Sequence, residues 1–146
     1  MARRPTIGWR ERVALEDLGL RQIKAKVDTG ARSSALHAWN LREELRDGER
    51  WILFEAHPRQ HDDQYVVGCE APLHDERFVK SSNGLKQLRP VIRTRVALAG
   101  QSWLIDLSLA PRDMMGFRML LGREALRGRF HVDAGASFLV SEDKDS

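Results

Sequence analysis

The stretch KVDTGARSSALHA, Lys26 to Ala38, decides how this chain is read. An alternating, buried-looking strand, RQIKAKV, runs straight into Asp28, and Thr29 and Gly30 follow at once. Asp, Thr and Gly are ordinary turn formers, so the triplet reads as a turn closing a strand. It also reads as a carboxylate that an apolar strand delivers to the floor of a site. The rest of the chain has to choose between the two.

At 146 residues the chain suits one domain with a real core. The expected division is an N-terminal arm over residues 1–6, a domain over 7–140 and a frayed tail over 141–146. A composition 42% hydrophobic and 31% charged is that of a globular protein. No apolar run reaches the ~18 residues of a membrane span. The first residues, MARRPTIGWRERVALEDL, contain no uninterrupted apolar run of the signal-peptide kind. Cys69 is the single cysteine and cannot form an internal disulfide, so a cytoplasmic setting is expected. The net charge is +3, and acids are interleaved among the arginines with no block of one sign. That pattern favours a solvated, mixed-sign surface, and nucleic acid is not expected as a partner. Arginine-rich strands leave an acidic partner open, since a guanidinium holds a carboxylate through two bonds.

Most of the chain reads as short strands joined by turns. LEDLGL bends at Gly19, Asp47-Gly48 and Ala99-Gly100 mark hairpins, and Ser81-Ser82-Asn83-Gly84 sits at the middle of another. PRDMMGF is a loop, RMLLGREALRGRF begins as a strand and becomes a short helix after Gly122, and HVDAGASFLV is a final strand or hairpin. VDTGARS and VDAGAS echo each other. Too little chain follows the second copy to build another lobe around it.

Two motifs converge: apolar-Asp-Thr-Gly-Ala at Val27 to Ala31, and apolar-apolar-Gly-Arg at Leu120 to Arg123, followed by the short helix. With the glycine-tipped hairpin between them, the chain resembles the retropepsin-like aspartic proteases. It is most similar to the bacterial branch labelled "ATP-dependent zinc protease", associated with ribosomal modification. VDTGARSSALHA, VKSSNGLKQLRPVI, MMGFRMLLGREAL and FHVDAGASF, in that order, carry the resemblance over most of residues 7–140. It implies a mainly β acid-protease barrel with one short helix after Leu-Leu-Gly. It implies a hydrolase whose water is activated by two aspartates ~3 Å apart that share a proton. One carboxylate is then base toward water while the other polarises the carbonyl.

This chain supplies one such loop, so the resemblance implies a homodimer with Asp28 from each subunit at the two-fold axis. Asp28, Thr29 and Gly30 are then catalytic. Thr29 buttresses the loop across the axis, and Gly30 lets the substrate backbone approach. Ala31, Arg32 and the hairpin Ser81, Ser82, Asn83 and Gly84 bind substrate, the hairpin as a flap that excludes water. Leu120, Leu121, Gly122 and Arg123 support the site from beneath. The substrate is a peptide or protein, and glutamate-rich segments are expected to bind better than lysine-rich ones. The alternative is a noncatalytic module that binds acidic peptides on the same fold.

One position departs from the family pattern. An acid usually follows Asp-Thr-Gly-Ala and pairs with the arginine of the second motif, but here that place holds Arg32. Arg123 must find another acid or a backbone carbonyl, with Asp133 a candidate. The branch's zinc label finds no HExxH and no closely spaced cysteine pair, and no phosphate-binding glycine loop supports ATP. His57, His61, Cys69, His74 and His131 read as residues outside any metal centre, and neither a metal nor another cofactor is expected.

Overall fold

Alternation at period two marks several of the longer strands, as expected where one face of a strand lies on a core. The computed structural model describes residues 4–80 and 83–144. The strands are β1 (Thr6–Gly8), β2 (Arg10–Leu15), β3 (Leu20–Asp28), β4 (Ser34–His37), β5 (Trp39–Arg46) and β6 (Glu49–Ala56). They continue as β7 (Val67–Pro72), β8 (Asp75–Lys80), β9 (Lys86–Leu98), β10 (Gln101–Ala110), β11 (Met119–Gly122) and β12 (His131–Asp133). Among the described residues one α-helix, α1 (Arg123–Leu126), follows the Leu-Leu-Gly motif, and one 3-10 turn spans Glu16–Leu18.

The order β10-β4-β11-β3-β2-β9 closes on itself because β9 also pairs with β10, giving a barrel with β8 attached outside β9. Closure leaves no free edge on the ring and accounts for the length of β9, which bonds β8 along one half and β10 along the other. β5, β6 and β7 form a separate three-stranded sheet. Ile23, Leu36, Ile92, Leu107, Met119 and Leu121 are fully buried inside the ring, and Ile52 and Phe54 extend the core toward the small sheet. The β5–β6 hairpin turns on Asp47 and Gly48, with φ of 49° and 82°, the pair of positive values that a two-residue turn matching strand twist requires.

Both chain ends depart from the sequence expectation. Thr6, placed in the arm, already pairs with His131 in the parallel β1–β12 ribbon. Of HVDAGASFLV only His131–Asp133 is strand; the rest runs beside β2, where the Phe138 N–H donates to the Arg10 carbonyl. Ser141, placed in the tail, donates to the buried carboxylate of Glu11, and Asp143 pairs with Arg12. LEDLGL is a 3-10 turn ended by Gly19 at φ 75°, not a simple hairpin bend.

Candidate active site

Asp28 is the last residue of β3, and its strand neighbour on one side is Gly122 of β11, running parallel. The Asp28 Oδ1 accepts the Gly30 N–H at 2.9 Å, and the Ala31 N–H returns to the Asp28 carbonyl at 3.2 Å. The triplet is therefore a turn, and the turn also presents a carboxylate: Oδ2 stays unbonded to the loop and lies 3.9 Å from Lys26 Nζ. The Asp28 side chain is 31% exposed. Thr29 and Gly30 are exposed at the tip, so the loop faces outward from one chain.

Gly122 is required by space. A Cβ there would stand 2.5 Å from the Ser33 carbonyl oxygen, and its own N–H donates to Ser34 Oγ at 3.0 Å. Leu121 is wholly buried beneath the loop beside Val27, while Leu120 is half-buried beside Lys26. Gly122→Ala is expected to cost about 3 kcal/mol by overpacking against backbone, read as a lowered urea midpoint. Gly68→Ala, where nothing lies within 4 Å, is the control and should stay within about 0.5 kcal/mol.

The missing acid after Ala31 is compensated by a pair of opposite polarity. Arg32 Nε donates to Glu124 Oε1 at 2.7 Å, so the cation sits on the loop and the acid on α1. Arg32 draws the Glu124 carboxyl below its ordinary range. Arg123 donates to the Gly30 carbonyl at 3.3 Å. Of the partners expected for Arg123, the carbonyl holds and Asp133 does not: Asp133 accepts the Gly135 N–H at 2.9 Å instead. Backbone bonds from Arg123 N–H to the Ala31 carbonyl and from Glu124 N–H to the Arg32 carbonyl dock the helix start onto the loop.

The β8–β9 hairpin stands over a groove of about 430 Å³. Lys80 and Arg89 reach it from the hairpin, Arg112 and Met115 from the loop after β10, and Leu120 from β11. Burial, and then the neighbouring Arg112 charge, press the Arg89 guanidinium below its ordinary value. Asp113, an acid in the lining, lies 3.4 Å from His37 Nδ1. Met115 Sδ is 3.0 Å from Lys26 Nζ, which places the groove one side chain from Asp28. Of the other strand arginines, Arg93 is bonded to Asp106 and Arg95 points to solvent. Asn83 and Gly84, expected in the flap, are exposed at the hairpin tip, with Gly84 at φ 84°. Ser81 and Ser82 lie outside the described residues.

His57 Nδ1 lies 3.6 Å from Asp63 and His74 Nε2 lies 3.8 Å from Asp106. Among the described residues no three of His, Cys, Asp and Glu are grouped as metal ligands. His57 lies in a stack, its ring 3.7 Å from Trp39, which in turn stacks on His37 at 3.6 Å. Burial lowers the His37 pKa, partly opposed by Asp113. Cys69 is buried against the Leu18 carbonyl, and burial pushes its thiol up to about 12. Sequence reasoning missed Glu11, a fully buried carboxylate in β2, and the groove arginine Arg112. The first gave no signal, since Glu11 stands between Arg10 and Arg12 and reads as part of a charged, exposed run. The second had none, since it sits in a loop.

A family model described as "RimB-like: Retropepsin-like aspartic endopeptidase RimB" matches residues 6–143. Proteins named "Probable alpha-L-glutamate ligase" are similar: one from Shewanella pealeana is 45% identical over 139 residues, and one from Parasynechococcus marenigrum is 47% identical over 142. These cover 95% and 97% of this chain but 30% of each relative, so the chain spans under a third of the length of the curated proteins it matches. A solved structure of the Legionella pneumophila protein Lpg0085, described as of unknown function, superposes with a TM-score of 0.76 at 27% identity, covering 92% of this chain and 97% of that one. The chain belongs to the RimB-like family of retropepsin-like proteins, and its closed barrel with one short helix is the fold that family implies.

Proposed function

We propose that this family member is an aspartic endopeptidase for acidic peptide segments, working in the cytoplasm as a homodimer in which Asp28 meets its copy. One observation carries the reading. A turn at the end of a barrel strand presents a part-exposed carboxylate, and it lies one side chain from a groove lined by Lys80, Arg89 and Arg112. A single carboxylate activates water poorly for peptide hydrolysis; two that share one proton supply both base and acid. Peptide backbone enters beneath the hairpin, glutamate side chains meet the groove cations, and water is excluded as the hairpin closes.

The names of the longer relatives favour a second reading. In those proteins a ligase label covers a chain of which this one is under a third, so the same groove could serve as a noncatalytic clamp for acidic tails. Turnover separates the two. Glutamate-rich and lysine-rich peptides are incubated with the protein at low and high salt, and products are read by mass spectrometry. Cleavage of the glutamate-rich set, weakened by salt, is expected. Binding without cleavage selects the clamp, and equal handling of both peptide sets at low salt removes the acidic preference. Replacing Arg89 and Arg112 together by Ala should reduce the preference by about tenfold, the sum of two partly screened ion pairs.

A further inference from the structure

The two echoing stretches, VDTGA and VDAGA, share bonds as well as letters. In each, Oδ1 of the aspartate accepts the N–H of the glycine two residues on, at 2.9 Å in both. In each, the N–H of the following alanine returns to the aspartate carbonyl, at 3.2 Å for Ala31 and 3.3 Å for Ala136. Each aspartate lies opposite a glycine in a parallel strand, Gly122 for Asp28 and Gly8 for Asp133. A Cβ on either glycine would strike a loop carbonyl, Ser33 O at 2.5 Å or Ala136 O at 2.6 Å. The residue after each glycine donates its N–H to the loop alanine's carbonyl, Arg123 to Ala31 and Trp9 to Ala136, both at 2.8 Å. Thr29 and Ala134, the equivalent tip residues, line one cavity of about 380 Å³.

The copies are joined through a single residue, Trp9. The Trp9 N–H is held by Ala136, and the Trp9 carbonyl accepts the Val27 N–H at 2.7 Å, one residue before Asp28. We infer that Asp133 is a positioning residue: it shapes the second loop so that Ala136 holds Trp9, and Trp9 in turn holds the end of β3 at the height where Asp28 must stand. The role needs an acceptor oxygen and no charge, because the bond it makes is to a backbone N–H. The effect on turnover rests on the reading of Asp28 as the reacting carboxylate.

The test compares Asp133→Ala with Asp133→Asn, the second of which keeps the oxygen. Amide exchange at Val27 is followed alongside steady-state cleavage. In Asp133→Ala, Val27 should exchange faster while core amides of β9 and β10 keep their protection. The kcat should fall about 10- to 100-fold, as a slightly misplaced reacting group does, with KM within about twofold. Asp133→Asn should restore both. Should the Ala variant unfold, Asp133→Ser, with a shorter acceptor, is expected to exchange Val27 faster than the parent and Asp133→Asn do. Unchanged Val27 exchange in the Ala or Ser variant overturns the linkage, and so does Asn behaving as Ala, which would mean that charge matters. The exchange readout needs no turnover, so it judges Asp133 even where the peptidase reading itself fails.

Discussion

Asp28→Asn is expected to reduce peptide turnover by about 10²- to 10⁴-fold, the range that a positioned acid–base group contributes. The side chain keeps its Oδ1, so the bond from the Gly30 N–H at 2.9 Å survives and the loop keeps its shape. What disappears is basicity. In the proposed dimer the two Asp28 carboxylates share a proton, and an amide at the same place can neither take a proton from water nor hold one between two oxygens. Stability should change little. The ion pair to Lys26, at 3.9 Å with a third of the carboxylate exposed, contributes at most about 1 kcal/mol. Removing the charge shared by two crowded carboxyl groups at the proposed axis offsets that loss. Parent turnover should fall on both sides of an optimum pH, because the shared proton is lost above it and doubled below it. The measurement pairs a cleavage assay with light scattering on the same samples. Full activity in Asp28→Asn, or activity in a species that scatters as a monomer, removes the dyad.

What the sequence showed of this molecule was local. Strands with one buried face print an alternation, and the paired positive-φ turns at Asp47-Gly48 and Ala99-Gly100 print glycine, so both were legible. Asp28, Gly122 and the helix after it were legible because turn chemistry and close packing restrict the residue types at those places. Partner choice across long sequence distances was not. Arg32 reaches Glu124 and Arg123 reaches a carbonyl, and nothing near either arginine in the chain announces which acid folding will bring alongside. Closure of the barrel needs β10 to pair with β4 in parallel as well as with β9, and no short window contains both partners. The VDAGA echo was visible, but its meaning lay in bonds to Gly8 and Trp9, more than a hundred residues upstream.

The same long-range blindness hid Glu11, whose replacement should have the largest effect on stability. Its carboxylate is fully buried and gathers four donors. The Gly8 N–H reaches Oε2 at 2.7 Å and the Leu139 N–H at 2.8 Å; the Val140 N–H reaches Oε1 at 3.3 Å and the Ser141 hydroxyl at 2.6 Å. A carboxylate only accepts, and all four neighbours only need to donate, which is why an acid can sit in this interior without a cation among these bonds. Glu11→Ala removes every acceptor at once and leaves the buried Gly8 N–H and the part-buried Leu139 and Val140 N–H groups without the carboxylate. At about 1–3 kcal/mol for each unsatisfied group, less whatever water enters the space, the expected loss is about 4 kcal/mol. Glu11→Gln is expected to cost less but not little: one oxygen can serve two donors, while the new NH₂ faces the other two. Because Gly8 and residues 139–141 flank the second aspartate loop, unfastening them should first release the C-terminal segment. Limited proteolysis should therefore cut Glu11→Ala near residues 138–144 under conditions that leave the parent whole. Urea unfolding supplies the magnitude, and a midpoint for Glu11→Ala equal to the parent's would mean that these four bonds do not hold the segment.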